Sequence, residues 1–190
     1  MTGMKVGFAL CGSFCTIDKA LIEMERLVKE GAEIIPIMSE IVQTTSTRFG
    51  EATERLERVE KLTENMVLKT IKEVEPIGPK GMLDLLIVAP CTGNTISKIA
   101  NGITDTTVTM AAKAHLRNNR PLILAIATND ALSGAATNIG KLLNTKNVYF
   151  VPFGQDDPIK KPTSLICDFN KILPTAKAAL AGKQNQPILI

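Results

Sequence analysis

The sequence predicts a doubly wound, mostly parallel α/β sheet, and three observations carry that expectation. Short apolar runs alternate with segments of helical period. Two of the runs, "LDLLIVAP" and "RPLILAIATND", are apolar almost throughout, as strands covered on both faces are. Each run ends in a small polar turn before the helical period resumes, the pattern of parallel strands joined by right-handed crossovers.

The elements follow in order. "KVGFAL" reads as the first strand, and after the turn "CGSFCT" the residues Ile17, Ala20, Leu21, Met24, Leu27 and Val28 recur at helical spacing from Thr16 until Gly31 stops them. "EIIPIMS" is a second strand whose Pro36, lacking an N–H, must sit where the ladder needs no donor. The charged stretch from Thr47 to Glu75 carries Leu56, Val59, Leu62, Met66 and Leu68 and predicts one or two surface helices, followed by the loop "IGPKGM". "LDLLIVAP" is the central strand, ending in "CTGNT" before a helix. "RPLILAIATND" repeats the scheme and ends at Thr128, Asn129 and Asp130, with "ALSGAATNIGKLL" helical after it. "NVYFVPF" predicts one more strand, Ser164 to Ala181 a closing helix, and residues 182–190 a polar, proline-bearing tail. With no internal repeat and no linker, residues 1–190 are expected to form a single domain.

Composition narrows the function classes. A chain of 190 residues with 45% hydrophobic content can bury one substantial core. No early segment has the build of a signal peptide, and no apolar run approaches the roughly 20 residues that span a bilayer, so a cytoplasmic protein without membrane partners is expected. The net charge of +3 comes from interspersed Lys, Arg, Asp and Glu rather than a basic cluster, which argues against nucleic acid. Cys11, Cys15, Cys91 and Cys167 show no zinc-type pairing; free thiols and no metal are expected.

Ligands of open α/β sheets bind beyond the carboxyl ends of the strands, and there the polar turns fall. "CGSF" follows the first strand, "MSEIVQTTS" the second, "PCTGNT" the central one and "ATND" the next. The first, third and fourth open onto helices, whose unpaired N–H groups and positive dipole ends suit a phosphate. The first turn lacks the glycines of a G-x-G-x-x-G dinucleotide fingerprint, and Gly140-Lys141 is followed by Leu142 rather than the Ser or Thr of a Walker loop. A mononucleotide remains, with FMN the natural candidate. Gly12 and Ser13 have a plainer alternative as a tight turn and helix cap. Asp105 has one as the cap of the helix after "NGIT". The cysteines are expected to be structural, His115 structural or solvated, and Arg48 and Lys113 solvated.

Three of these stretches carry a resemblance. "GFALCGSFCTIDKA", "IVAPCTGNTISKIANGITDTTVTMAAKA" and "LAIATND" resemble the three signatures of the FMN-dependent cysteine-decarboxylase superfamily, which includes phosphopantothenoylcysteine decarboxylases, lantibiotic decarboxylases and flavin prenyltransferases. The family's central Pro-Ala-Ser-Ala-Asn-Thr is matched by Pro90, Asn94 and Thr95, with Cys91, Thr92 and Gly93 as the small residues between. Its Pro-Ala-Met-Asn is represented by "IATN", keeping Ala127 and Asn129. The resemblance implies a flavodoxin- or Rossmann-like three-layer flavoprotein fold, FMN as cofactor, and cofactor contacts at Gly12, Ser13, Phe14, Ser39, Pro90, Thr92, Asn94, Thr95, Ala127 and Asn129. It also implies a homo-oligomer, since members bind flavin at subunit contacts and this chain has no Trp and only Tyr149 to cover a flavin ring.

The departures matter as much. The decarboxylases carry a catalytic histidine shortly before the central strand, whereas "VEPIGPKGMLD" has none, which argues against cysteine decarboxylation. The longer matches, including "APCTGNTISKIANGITDTTVTMAAKAHLRN" and "ATNDALSGAATNIGKLLN", resemble instead the B subunits of a two-component oxidoreductase of sporulating bacteria. That resemblance implies a nicotinamide-binding A subunit as partner, NADP on that partner rather than on this chain, a small dicarboxylate substrate and a setting in the mother-cell cytoplasm. A cofactor-free accessory subunit and an FMN-dependent decarboxylase are the alternatives; no catalytic residue is assigned.

Overall fold

The computed structural model describes residues 1–190. The first two apolar runs form β1 (Lys5–Leu10) and β2 (Glu33–Met38), paired in parallel from Lys5 against Glu33 to Leu10 against Met38. On the other side of β1 lies β3 (Leu85–Cys91), all seven residues buried, and beyond it β4 (Leu122–Thr128). The amino half of β4 pairs in parallel with β5 (Val148–Phe150). The order β2-β1-β3-β4-β5 reverses direction between β1 and β3, so the carboxyl ends of those two strands form the switch point where ligands of such sheets bind.

Pro36 sits on the edge strand β2. Its own carbonyl accepts the Leu68 N–H at 2.9 Å on the outer side, so the missing N–H faces away from β1 and the ladder loses nothing. Pro90 has the opposite effect within β3: the register to β4 shifts between Val88 and Cys91, where a residue without an N–H interrupts the ladder.

Helix α1 (Ile17–Lys29) buries Ile17, Ala20, Leu21, Met24 and Leu27 and ends at Gly31, whose φ of +83° suits a residue without a Cβ. After β2 come α2 (Glu40–Thr44), α3 (Ala52–Thr63) and α4 (Ile71–Val74), then, beyond β3, α5 (Gly93–Ala100) and α6 (Thr107–Leu116). Helix α7 (Ala136–Leu143) follows β4, and α8 (Ile172–Leu180) is the last. Helices α1 and α8 pack together over one face, while α5 packs with α6 and α7 over the other. A single connected core of 52 buried apolar residues joins the layers.

Two expectations are corrected near the carboxyl end. "NVYFVPF" is not one strand: Pro152 separates β5 from β6 (Phe153–Asp157). Ser164–Cys167 are not helical either, because Lys161–Cys167 form β7, antiparallel to β6 and, through Leu165 and Ile166, to the carboxyl half of β4. The edge of β4 that β5 leaves open above Leu124 needs hydrogen-bond partners, and β7 supplies them. The tail is ordered against this hairpin. Phe153 donates to the Ile188 carbonyl at 2.9 Å and accepts from the Ile190 N–H at 3.1 Å, while the Gln184 side chain clasps the N–H and C=O of Phe150 at 2.8 and 2.7 Å.

Candidate functional site

A cleft of about 830 Å³ opens at the switch point. Of the residues singled out in the sequence, it gathers Gly12, Ser13 and Phe14 from the turn after β1, Thr92 and Asn94 from the turn after β3, and Ala127 and Asn129 from the end of β4. Three turns far apart in sequence thus share one wall. Ser39, Pro90 and Thr95 stand behind that lining: Pro90 is buried within β3, and Thr95 donates its hydroxyl to the Cys11 thiol at 3.3 Å, tying α5 to the end of β1.

The local geometry decides several roles. Ser13 does not cap a helix; its hydroxyl oxygen accepts from the Thr16 hydroxyl at 3.0 Å, which leaves its own O–H to donate elsewhere. Thr92 does cap α5, accepting the Thr95 N–H at 3.4 Å. Asn94, exposed on the first turn of α5, makes no hydrogen bond within the chain. The turn after β4 reaches its helix only at Ala136, so of the three expected helix N-termini, that of α5 is presented most directly. Asp105 pairs with Lys98 at 2.8 Å, and α6 is capped instead by Thr106 in a capping box with Thr109.

Ser39 is the most informative residue. It follows β2 as the residue before α2, beside the carboxyl end of β1, is 9% exposed, and its hydroxyl has no hydrogen-bond partner. A buried hydroxyl without a partner is costly, and the only other such side-chain atom is Nδ1 of His115.

The buried thiols are quiet, whereas Cys15 is exposed and lines the cleft. Burial pushes Cys11 up to about 11, with the Thr95 hydroxyl opposing it, and burial drives Cys91 well above its ordinary value. Both remain thiols at neutral pH and act as small apolar residues. His115 lies at the other end of the sheet, fully buried, its Nε2–H donating to the Pro121 carbonyl at 2.8 Å. Tyr149 is on β5, away from the cleft, so the aromatic lining is Phe14 and Phe49. Arg55 ties the two segments together: its buried guanidinium donates to the carbonyls of Val42, Thr45 and Gly50 at 3.0, 3.4 and 3.2 Å, around Phe49, and lies 5.1 Å from the Phe14 ring centroid.

The other wall comes from the β6–β7 hairpin, which contributes Asp156, Lys161, Ser164, Leu165 and Ile166. Reasoning from sequence missed this wall, and with it Asp130 and Thr128 as lining residues. The signal was the Asp156-Asp157-Pro158 cluster, a turn marker between the apolar run ending at Phe153 and the stretch Ser164–Cys167. Asp156 pairs with Lys161 at 2.6 Å. Asp130 has no cation; its carboxylate accepts the Thr128 hydroxyl at 2.5 Å and lies against Gly93, where a Cβ would overlap it.

Strand order and the polar cleft at the switch point define the class, an α/β protein of the flavodoxin type built around a ligand cleft. A family model described as Flavoprotein matches residues 1–180, and the chain belongs to that flavoprotein family. In particular, it is 47% identical over 190 residues to the dipicolinate synthase B subunit of Bacillus subtilis (strain 168), covering 100% of this chain and 95% of that protein. The crystal structure of the dipicolinate synthase B subunit from Bacillus halodurans superposes with a TM-score of 0.92 at 48% identity, covering 100% of this chain and 97% of that one. The FMN-dependent cysteine decarboxylase SpaF matches with a TM-score of 0.70 at 18% identity, covering 95% and 98% of the two chains, a likeness of fold.

Proposed function

We propose that this chain is the flavin-binding B component of dipicolinate synthase, acting with a nicotinamide-binding A subunit that carries NADP. Together they oxidise a dihydrodipicolinate-type precursor to dipicolinate in the mother cell of a sporulating bacterium. The full-length likeness to two dipicolinate synthase B subunits supports the branch of the family. The observation that carries the cofactor reading is the cleft at the switch point, where the turns after β1 and β3 bring the Ser13 hydroxyl and the free Asn94 amide together, with the unpartnered Ser39 hydroxyl behind them at the end of the edge strand β2.

These residues fit FMN. Ser13 and the first turn of α5 would hold the phosphate, with the Ser39 hydroxyl reaching it from behind the lining and Gly12 required because a Cβ there would come within 2.9 Å of Ile41. Asn94, Ala127 and Asn129 would face the rest of the nucleotide, and Phe14 would offer an apolar ring face. When bound, a flavin supplies a two-electron acceptor. The chain itself binds and orients the dicarboxylate between the two walls of the cleft and presents Lys19 there as a cation without a carboxylate partner, Lys161 being paired with Asp156. Phe49 is 44% exposed, and a second copy covering that edge would complete the site, which supports a homo-oligomer.

The test measures flavin binding by fluorescence quenching and dipicolinate formation by ultraviolet absorbance, with the two components separate and mixed. FMN binding with product formed only in the mixture is the expected result. Full turnover by the A subunit without this chain, or no measurable FMN affinity, reduces this chain to an accessory.

A further inference from the structure

Aromatising a dihydropyridine removes a hydride and a proton, and the proton needs an acceptor. The cleft offers few. His115 is at the far end of the sheet and its Nε2–H is already committed to Pro121. Cys11 and Cys91 are buried, Asp156 is bound to Lys161 at 2.6 Å, and the exposed Cys15 thiol, which also lines the cleft, is the rival that the test includes. Asp130 is different. It lines the cleft, has no cation partner, and accepts a single side-chain hydrogen bond, from the Thr128 hydroxyl at 2.5 Å.

Its position is built. The Asp130 carbonyl accepts the N–H groups of Ser133 and Ala135 at 3.0 and 3.1 Å, which fixes the turn after β4. Gly93, the first residue of α5, leaves room for the carboxylate: a Cβ there would overlap Asp130 Oδ1 and come within 2.7 Å of the Thr128 hydroxyl. The carboxylate therefore stands between the turns after β3 and β4, next to Asn94 and Asn129 in the lining.

We propose that Asp130 is the proton acceptor of the aromatisation and that Thr128 is its positioning residue. This rests on the reading of the chain as a dipicolinate-forming subunit. One ring C–H bond breaks with its electron pair leaving as hydride to a nicotinamide or flavin oxidant. The neighbouring ring C–H bond breaks heterolytically; its electron pair becomes the last ring double bond and its proton goes to an Asp130 carboxylate oxygen. The dihydro compound thus loses one hydride and one proton, and charge balances between reduced oxidant and protonated Asp130.

The test compares wild type, Asp130→Asn, Asp130→Glu, Thr128→Ala and Cys15→Ser by three readouts. The first is deuterium uptake from D2O into the ring of a dihydropyridine-2,6-dicarboxylate with this chain and no oxidant, followed by mass spectrometry. The second is kcat and KM for dipicolinate formation in the mixture with the A subunit and NADP. The third is affinity for dipicolinate itself, which also reports that each variant is folded. Asp130→Asn should lower both exchange and kcat by about 10²–10⁴-fold, with KM and dipicolinate affinity within about threefold. Asp130→Glu should restore part of the rate, and Thr128→Ala should lose about tenfold in kcat and in exchange with KM unchanged. Wild-type exchange and turnover in Asp130→Asn would overturn the proposal, as would loss of exchange in Cys15→Ser instead, or a fall in dipicolinate affinity matching the fall in kcat. No product from the wild-type mixture would overturn the functional reading and this proposal together, whereas wild-type product with an unaffected Asp130→Asn removes only the proposal.

Discussion

The Ser39 N–H donates to the Leu10 carbonyl at 3.1 Å, pinning the carboxyl ends of β2 and β1 together while the hydroxyl of the same Ser39 is buried without a partner. The backbone of this residue is fully used and its side chain is not. Ser39→Ala should therefore leave the free protein as stable as wild type, or up to about 1 kcal/mol more stable, because no hydrogen bond is lost. FMN affinity should fall about tenfold. Thermal melts with and without FMN read both effects; a destabilised free variant with normal affinity would contradict this.

Asn94 makes no hydrogen bond within the chain, so its side chain contributes little to folding. Replacing it with leucine should change stability by less than about 0.5 kcal/mol and weaken FMN binding at least tenfold, from the lost hydrogen bonds and the added bulk. Fluorescence titration of the variant checks this, and unchanged affinity would move the ligand away from the turn after β3.

Gly93→Ala places a Cβ against Asp130 Oδ1 and within 2.7 Å of the Thr128 hydroxyl. In an open helix the change would be favourable, but here steric overlap wins and should cost about 1–3 kcal/mol. Urea denaturation should show part of that loss recovered in the double variant Gly93→Ala, Asp130→Ala. Equal stability of Gly93→Ala and wild type would mean that the two turns do not pack against each other.

His115 sets a pH dependence of stability. Burial pulls its pKa down from 6.5 to about 4, with Arg120 acting in the same sense and the Pro121 hydrogen bond and Asp84 opposing. Between those values the unfolded chain takes up a proton that the folded chain refuses. The stabilisation is complete above pH 6.5 and is lost as pH falls toward 4, by about 3 kcal/mol in all. Replacing His115 with glutamine, which keeps a donor for Pro121, should flatten this dependence between pH 6.5 and 4.5 relative to wild type in urea midpoints. Parallel curves for the two proteins would rule out His115 as the source.

Gln184 closes the polar edge of β5, giving Phe150 an acceptor and a donor that no neighbouring strand provides. Gln184→Ala should cost about 2 kcal/mol, because both groups belong to a buried residue. Hydrogen exchange at the Phe150 amide is the direct readout, and unaltered protection would show that the tail does not hold this edge.

Much of the fold is legible in the chain because burial on two faces forces an unmistakable pattern. Leu85–Cys91 and Leu122–Thr128 read as central strands since almost every residue must avoid water, and Ile17 to Leu27 read as a helix since one stripe must. The turns at Gly12-Ser13, Thr92-Asn94 and Asn129 are likewise visible, as small polar residues interrupting those runs. Tertiary structure decided what no local pattern encodes. The β6–β7 hairpin exists because the carboxyl half of β4 needs partners, a requirement set by a strand more than thirty residues earlier. Asp130 lies beside Gly93 only because parallel pairing brings the ends of β3 and β4 together. Ser39 has an unpartnered hydroxyl only because the core closes around it. Periodicity reports how each segment meets water, whereas a site is made by segments meeting one another, and that depends on strand order and register.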